Sequence, residues 1–104
     1  MAVSTRLEQS RRAGPPPPDA ATLLAAVADP TRLAVLHILA GGTTCVCVLQ
    51  ESLPLAANLL SYHLKVLREA GLIVGSRRGR WVDYSLAESA VQRLHAALPT
   101  LDPR

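Results

Sequence analysis

A chain of 104 residues in which 49% are hydrophobic but only 3% aromatic, with no phenylalanine, has the length of one domain, and its core must be assembled from Leu, Val, Ile and Ala carried on helices. The net charge of +3 is unevenly placed: residues 1–18 hold three arginines against one glutamate and residues 53–86 hold five basic against two acidic side chains, as in a protein that faces a polyanion such as nucleic acid, with a merely solvated basic face as the competing reading. No apolar run is long enough to span a bilayer and no apolar signal core follows the first basic residues, so a cytoplasmic protein with no membrane partner is expected, and its two cysteines are expected as free thiols, metal ligands or redox groups rather than a structural disulfide.

Residues 1–18, with Arg6, Arg11, Arg12 and the run Pro15 to Pro18, offer no apolar face and predict a disordered basic arm. From Asp19 onward Leu23, Leu24 and Val27 recur at helical spacing and predict a short first helix ending near Ala28. Asp29-Pro30 is an N-cap followed by proline at the first helical position, and Leu33, Leu36 and Leu39 carry a second helix to Gly41-Gly42. Thr43 and Thr44 are expected to cap a third helix holding Val46, Leu49 and Leu53, which Pro54 ends. A fourth helix is expected from about Leu55 to Ala70, with Leu60, Leu64 and Leu67 on one face and Gly71 as its left-handed cap.

The third and fourth helices, joined by a short turn with the second longer and basic, make a helix-turn-helix pattern. Beyond Gly71 the period shortens. Leu72-Ile73-Val74 and Trp81 to Leu86 read as two strands around the turn Arg77-Arg78-Gly79-Arg80, a hairpin whose arginine tip suits a phosphate backbone or a minor groove. A last helix is expected from about Ala87 to Leu98, followed by a tail over 100–104. The fold class is therefore α+β and mostly helical: a winged helix-turn-helix of five helices with a two-stranded β-hairpin wing, occupying residues 19–99.

Cys45 and Cys47 are the first candidate site. Two residues apart in a regular helix their side chains would diverge by about 200°, too far to grip one ion, but at a helix N-terminus the turn distorts and the macrodipole favours the thiolate. Metal or metalloid ligation, inert packing and redox sensing all remain open. On the last helix His95 stands seven residues, or two turns, after Glu88, a candidate pair for nickel or zinc. His37, amid the apolar second helix, reads as a satisfied interior residue.

Four motifs then stand together in order: Ala28-Asp29-Pro30-Thr31-Arg32, Cys45-Val46-Cys47, the run from Ser61 to Leu72, and Gly79-Arg80-Trp81-Val82-Asp83-Tyr84-Ser85-Leu86. Over residues 21–98 the chain resembles the ArsR/SmtB family of metal-responsive transcriptional regulators. The resemblance implies a DNA-binding dimer on a palindromic operator, with the first and last helices as its interface, usually repressing until an effector ion binds. It implies that Cys45 and Cys47 contribute to a thiolate site for As(III) or Sb(III), or for Cd, Zn or Ni, with no obligatory cofactor.

The chain also departs from the pattern. Gln50 stands where some arsenic-responsive members have a further cysteine, and Val48 where an aspartate is common. Of the family's last-helix site only Glu88 corresponds, while Ala90, Leu101 and Arg104 fill the other ligand positions.

A helix in a major groove reads base edges from its N-terminal half, which selects Asn58, Ser61, Tyr62 and Lys65 as candidate readers, with Lys65 and Arg68 better suited to phosphate and the wing residues Arg77, Arg78 and Arg80 on phosphate. Asn58 is the side chain best able to bond adenine twice, and His63 is read as packing rather than reading. Family members carry small polar residues at or near Ala56, Ala57 and Leu59, so modest sequence specificity with a steep salt dependence is expected. Two other readings compete: a winged helix that acts through a protein co-regulator without an effector, and a thiol redox sensor of the same fold. No catalytic triad, paired carboxylates or Cys-x-x-Cys is present, so an enzyme is not expected.

Overall fold

Asp29 opens the best-marked element of the chain. In the computed structural model, which describes residues 19–99, its carboxylate accepts the backbone N–H of Arg32 at 3.0 Å and Pro30 occupies the first helical position, satisfying one of the orphan donors of a helix start without losing a bond to the proline. The helices are α1 (Ala20–Val27), α2 (Pro30–Ala40), α3 (Val46–Ser52), α4 (Ala57–Glu69) and α5 (Ala90–Ala96). The strands are β1 (Thr44–Cys45), β2 (Ile73–Arg78) and β3 (Trp81–Leu86).

The expected winged helix-turn-helix is present, and each apolar stripe turns inward. Leu23 of α1, Val35, Leu36 and Leu39 of α2, Leu49 of α3 and Leu60, Leu64 and Leu67 of α4 meet Leu72, Ile73 and Tyr84 of the sheet in one core. At about 1.5–3 kcal/mol for each large side chain taken out of water, this aliphatic cluster is the main stabilising term. Among the described residues the buried set contains no polar or charged side chain.

Gly71 ends α4 with φ 76°. The Leu72 N–H bonds the Leu67 carbonyl at 3.0 Å and the Gly71 N–H bonds that of Arg68 at 2.9 Å, the pair of bonds that closes a helix on a left-handed glycine. Chain direction reverses there, into the hairpin. β2 and β3 pair antiparallel from Ile73↔Leu86 to Arg78↔Trp81, leaving a two-residue turn in which Gly79 alone has positive φ, 63°. Glycine at the first central position of such a turn suits the twist of the strands.

Four expectations change. Arg77 and Arg78 belong to β2 rather than to the turn, so the hairpin is longer and its arginines are partly ladder residues. The sheet has a third strand: Thr44 and Cys45 pair with Tyr84 and Asp83, giving the order β1-β3-β2. Thr44 therefore does not cap α3, because its backbone is extended into that ladder, and Cys45 takes the cap position instead. Finally, α5 begins at Ala90 rather than near Ala87, since Leu86 still belongs to β3 and the Ala87 N–H bonds the Leu72 carbonyl. The arm over 1–18 and the tail over 100–104 lie outside the described residues.

Candidate nucleic-acid interface and thiol site

Burying Leu60, Leu64 and Leu67 turns the opposite face of α4 to solvent, and Asn58, Ser61, Tyr62, Lys65 and Arg68 are all exposed there. Tyr62 is 57% exposed and Leu59 51%. The five candidate side chains thus share one helix face, as groove recognition requires. Ala56 sits at the N-cap with no side-chain hydrogen bond, as its methyl group dictates. Part of that deficit is met by Asn58, whose Oδ1 accepts the Leu59 N–H at 3.0 Å, so its amide must swing away from its own helix to meet a base.

Two arginines hold α4 in place, one at its middle and one at its C-terminal end. Arg32 of α2 donates from Nε to the Ala26 carbonyl at 2.6 Å and from a terminal nitrogen to His63 Nδ1 at 2.9 Å. The Asp29 carboxylate lies 3.9 Å from the same nitrogen, so His63 is held between Arg32 and Asp29. At the C-terminal end of α4, Arg93 of α5 donates to the Gly71 carbonyl at 2.9 Å, to that of Ala70 at 3.3 Å and to Asp19 at 2.9 Å. Sequence patterning missed both contacts, because they join residues 31 and 22 positions apart and neither has a local signature.

The wing is less uniform than its sequence suggests. Arg77, Arg78 and Arg80 are exposed, but Arg78 is held by both Asp83 oxygens, at 2.8 and 3.1 Å. That pairing draws the Asp83 carboxyl below its ordinary range and raises the Arg78 guanidinium. Among the described residues Arg77 and Arg80 make no ion pair, so they carry the charge the wing can offer to phosphate. Gly75 lets the Tyr84 ring lie across β2, since a Cβ there would come within 3.1 Å of it.

Cys45 and Cys47 are brought together. Cys45 is extended at the cap (φ −67°, ψ 143°) and its sulfur accepts the Cys47 N–H at 3.2 Å, so the divergence expected inside a helix does not arise. The two sulfurs are joined as a disulfide, with the Cα atoms 5.2 Å apart, where free thiols, metal ligands or redox groups were expected rather than a structural disulfide. Both residues are half-buried. Gln50, at the place of a third cysteine, is committed elsewhere: its Nε2 donates to the Leu55 carbonyl at 2.7 Å and fixes the turn between α3 and α4. Among the described residues no group of three or more His, Cys, Asp or Glu side chains could hold a metal.

Glu88 lies in the turn before α5, so the two-turn helical step to His95 does not exist. His37 is exposed, not interior, because the core-facing positions of α2 are Val35, Leu36 and Leu39. With His95 it borders an apolar hollow between α2 and α5.

Comparison with known proteins decides the kinship. The family described as bacterial regulatory protein, arsR family, matches residues 29–74. An uncharacterized HTH-type transcriptional regulator of Methanocaldococcus jannaschii, MJ1325, is 34% identical over 76 residues, covering 72% of this chain and 85% of that protein. The chain belongs to the ArsR family of regulators. It is also 41% identical over 70 residues to the arsenical resistance operon repressor of Bacillus subtilis, covering 66% of this chain and 67% of the repressor. With several other curated relatives this ArsR-family chain spans only 57–62% of their length. The crystal structure of a possible transcriptional regulator for arsenical resistance superposes with TM-score 0.68 at 34% identity, covering 71% of this chain and 77% of that one. The ArsR-family chain is accordingly a DNA-binding transcriptional regulator and not an enzyme, and among its described residues no single helix is long and apolar enough to cross a membrane.

Proposed function

We propose that the protein is a dimeric repressor of a palindromic operator, released from DNA when a thiophilic ion binds Cys45 and Cys47. The observation that carries this reading is the convergence of the two sulfurs at the start of α3, on a strand hydrogen-bonded to the wing. Cys45 pairs with Asp83, and Asp83 grips Arg78. Any change at the sulfurs is thereby felt at the wing within two contacts. The bases are read by Asn58, Ser61 and Tyr62, while Lys65, Arg68, Arg77 and Arg80 bind phosphate and Arg78 stays paired with Asp83. Dimerisation through α1 and α5 would cover Val91 and Leu98, which are left about half exposed.

Two sulfur donors suit trivalent arsenic or antimony better than zinc, cadmium or nickel. A tetrahedral ion wants four ligands, whereas arsenous acid can exchange two of its hydroxyls for the two thiols of the reduced protein, each S–H proton leaving with a hydroxyl as water, so that two waters are released and the third hydroxyl is kept. The similarity to regulators named for arsenical resistance supports that choice. We assign no ion to Glu88 and His95. A second reading, thiol redox sensing, is favoured by the disulfide pairing of the two cysteines; in that case oxidation itself changes operator affinity.

The test is a titration of arsenite, cadmium, zinc and nickel into the reduced protein bound to a duplex from its own promoter, with Cys45→Ser and Cys47→Ser beside it. Release by arsenite at the lowest concentration, lost in both variants, is expected. Release by diamide but by no ion would transfer the site to redox sensing, and release unchanged in both variants would remove the thiols from the mechanism.

A further inference from the structure

The exposed face of α4 is divided lengthwise. Asn58, Ser61, Lys65 and Arg68 recur at three- and four-residue steps and make a polar edge, while Leu59, Tyr62 and Val66 do the same beside them and make an apolar one. Val66 packs against the core, but Leu59 is 51% and Tyr62 57% exposed. Core packing therefore does not account for these two, and dimerisation through α1 and α5 engages other helices. Tyr62 is also positioned: its ring meets the His63 ring edge-on, with centroids 5.5 Å apart, and His63 is held by Arg32 at 2.9 Å.

In the floor of a major groove one base alone presents an apolar group, thymine with its C5-methyl; the other edges offer hydrogen-bond donors and acceptors. An apolar side chain in the N-terminal half of a helix lying there has that one partner. We infer that Leu59 is a specificity-determining residue, which with the Tyr62 ring beside it takes the C5-methyl of one thymine in each operator half-site. The inference rests on the placement of α4 in the major groove proposed above. It gives the leucine a purpose where relatives carry small polar residues: a hydrogen-bonding contact is exchanged for one that excludes water. Uncharged on both sides, this contact releases no counterions and adds nothing to the salt dependence that the phosphate contacts create. A protein partner is the poorer occupant of the strip, because the basic edge of Lys65 and Arg68 runs alongside it on the same helix.

The experiment uses the full reduced chain and a duplex from its own promoter in which each thymine in turn is replaced by deoxyuridine, which pairs identically but lacks the methyl group. One position per half-site is expected to weaken binding about fourfold for each methyl removed, the effect of burying one group of that size, and to do so equally at low and moderate salt. In Leu59→Ala the same replacement should cost less than 1.5-fold, whereas Leu59→Met, which keeps an apolar group there, should retain the discrimination. Leu59 is exposed and alanine favours helix, so the fold should survive; unchanged circular dichroism checks this. Asn58→Ala should weaken the operator and keep the deoxyuridine penalty. If no thymine responds, if the penalty persists in Leu59→Ala, or if Leu59→Ala binds the operator as the parent does, leaving the strip to a protein partner, the inference is overturned. With the effect of Asn58→Ala intact, such a result strikes Leu59 alone. Should Asn58→Ala also leave operator preference unchanged, the placement of α4 in the groove falls with it.

Discussion

Ala56 shows how one methyl group shapes the reading surface. A side-chain oxygen there would accept one of the free amides at the start of α4, and without it Asn58 turns back to its own backbone. Ala56→Ser is expected to stabilise the protein by about 1 kcal/mol, a rise of about 4–8 °C in thermal midpoint for a domain of this size. It should also sharpen operator preference, because Asn58 is then released for bases. Acid acts at the same scale. Asp19 is drawn below the ordinary carboxylate value of 3.8 chiefly by its bond to Arg93, Asp29 by the Arg32 backbone N–H, and Asp83 by Arg78. A carboxyl depressed in the folded state stabilises it above the unfolded pKa, and that contribution disappears as pH falls through the folded value. Thermal midpoints should therefore be flat from pH 7 to 5 and fall below pH 4, and Asp83→Asn should lose less on acidification than the parent. An equal fall in both would remove the Arg78 pair from the acid response.

At the scale of elements, the account rests on the two arginines that hold α4. Removing Arg93 leaves the carbonyls of Ala70 and Gly71 without their side-chain donor, at the junction of α4 and β2. Arg93→Ala is expected to cost about 1.5–3 kcal/mol, the range for hydrogen bonds to a charged group, in urea unfolding, with Arg93→Lys recovering only part because a lysine ammonium cannot fork between the same oxygens. A cost below a few tenths of a kcal/mol would show the contact to be ornamental. The elements with strong local chemistry could be read from the sequence: Asp29-Pro30 began α2, Gly71 closed α4, and the alternation after Trp81 gave β3. Those set by partners distant in the chain could not. β1 exists only because Tyr84 and Asp83 lie beside it, and with it went the cap assigned to Thr43 and Thr44. The candidate site divides in the same way. The exposed face of α4 followed from where its leucines fall, whereas the neutralisation of Arg78, the exposure of His37 and the use of Gln50 as a turn fastener depend on tertiary neighbours.

For the whole molecule, the question is how a thinly polar recognition helix and a charged wing divide affinity and specificity. Arg77, Arg80, Lys65 and Arg68 supply charge that any duplex can use, so binding should fall steeply between low and moderate salt, by a slope of about −0.9 per phosphate neutralised. Asn58 and its neighbours supply the remainder, which depends on sequence. The most direct test is the affinity of the parent, Arg80→Ala and Asn58→Ala for the operator and for a random duplex, across a salt series. Arg80→Ala should weaken both duplexes alike and lower the salt slope by about one, the loss of one phosphate contact. Asn58→Ala should weaken the operator by about 1–3 kcal/mol, one bidentate base contact, and leave the random duplex unchanged. If the two substitutions act equally on both duplexes, or if binding barely responds to salt, the division of labour between helix and wing is contradicted.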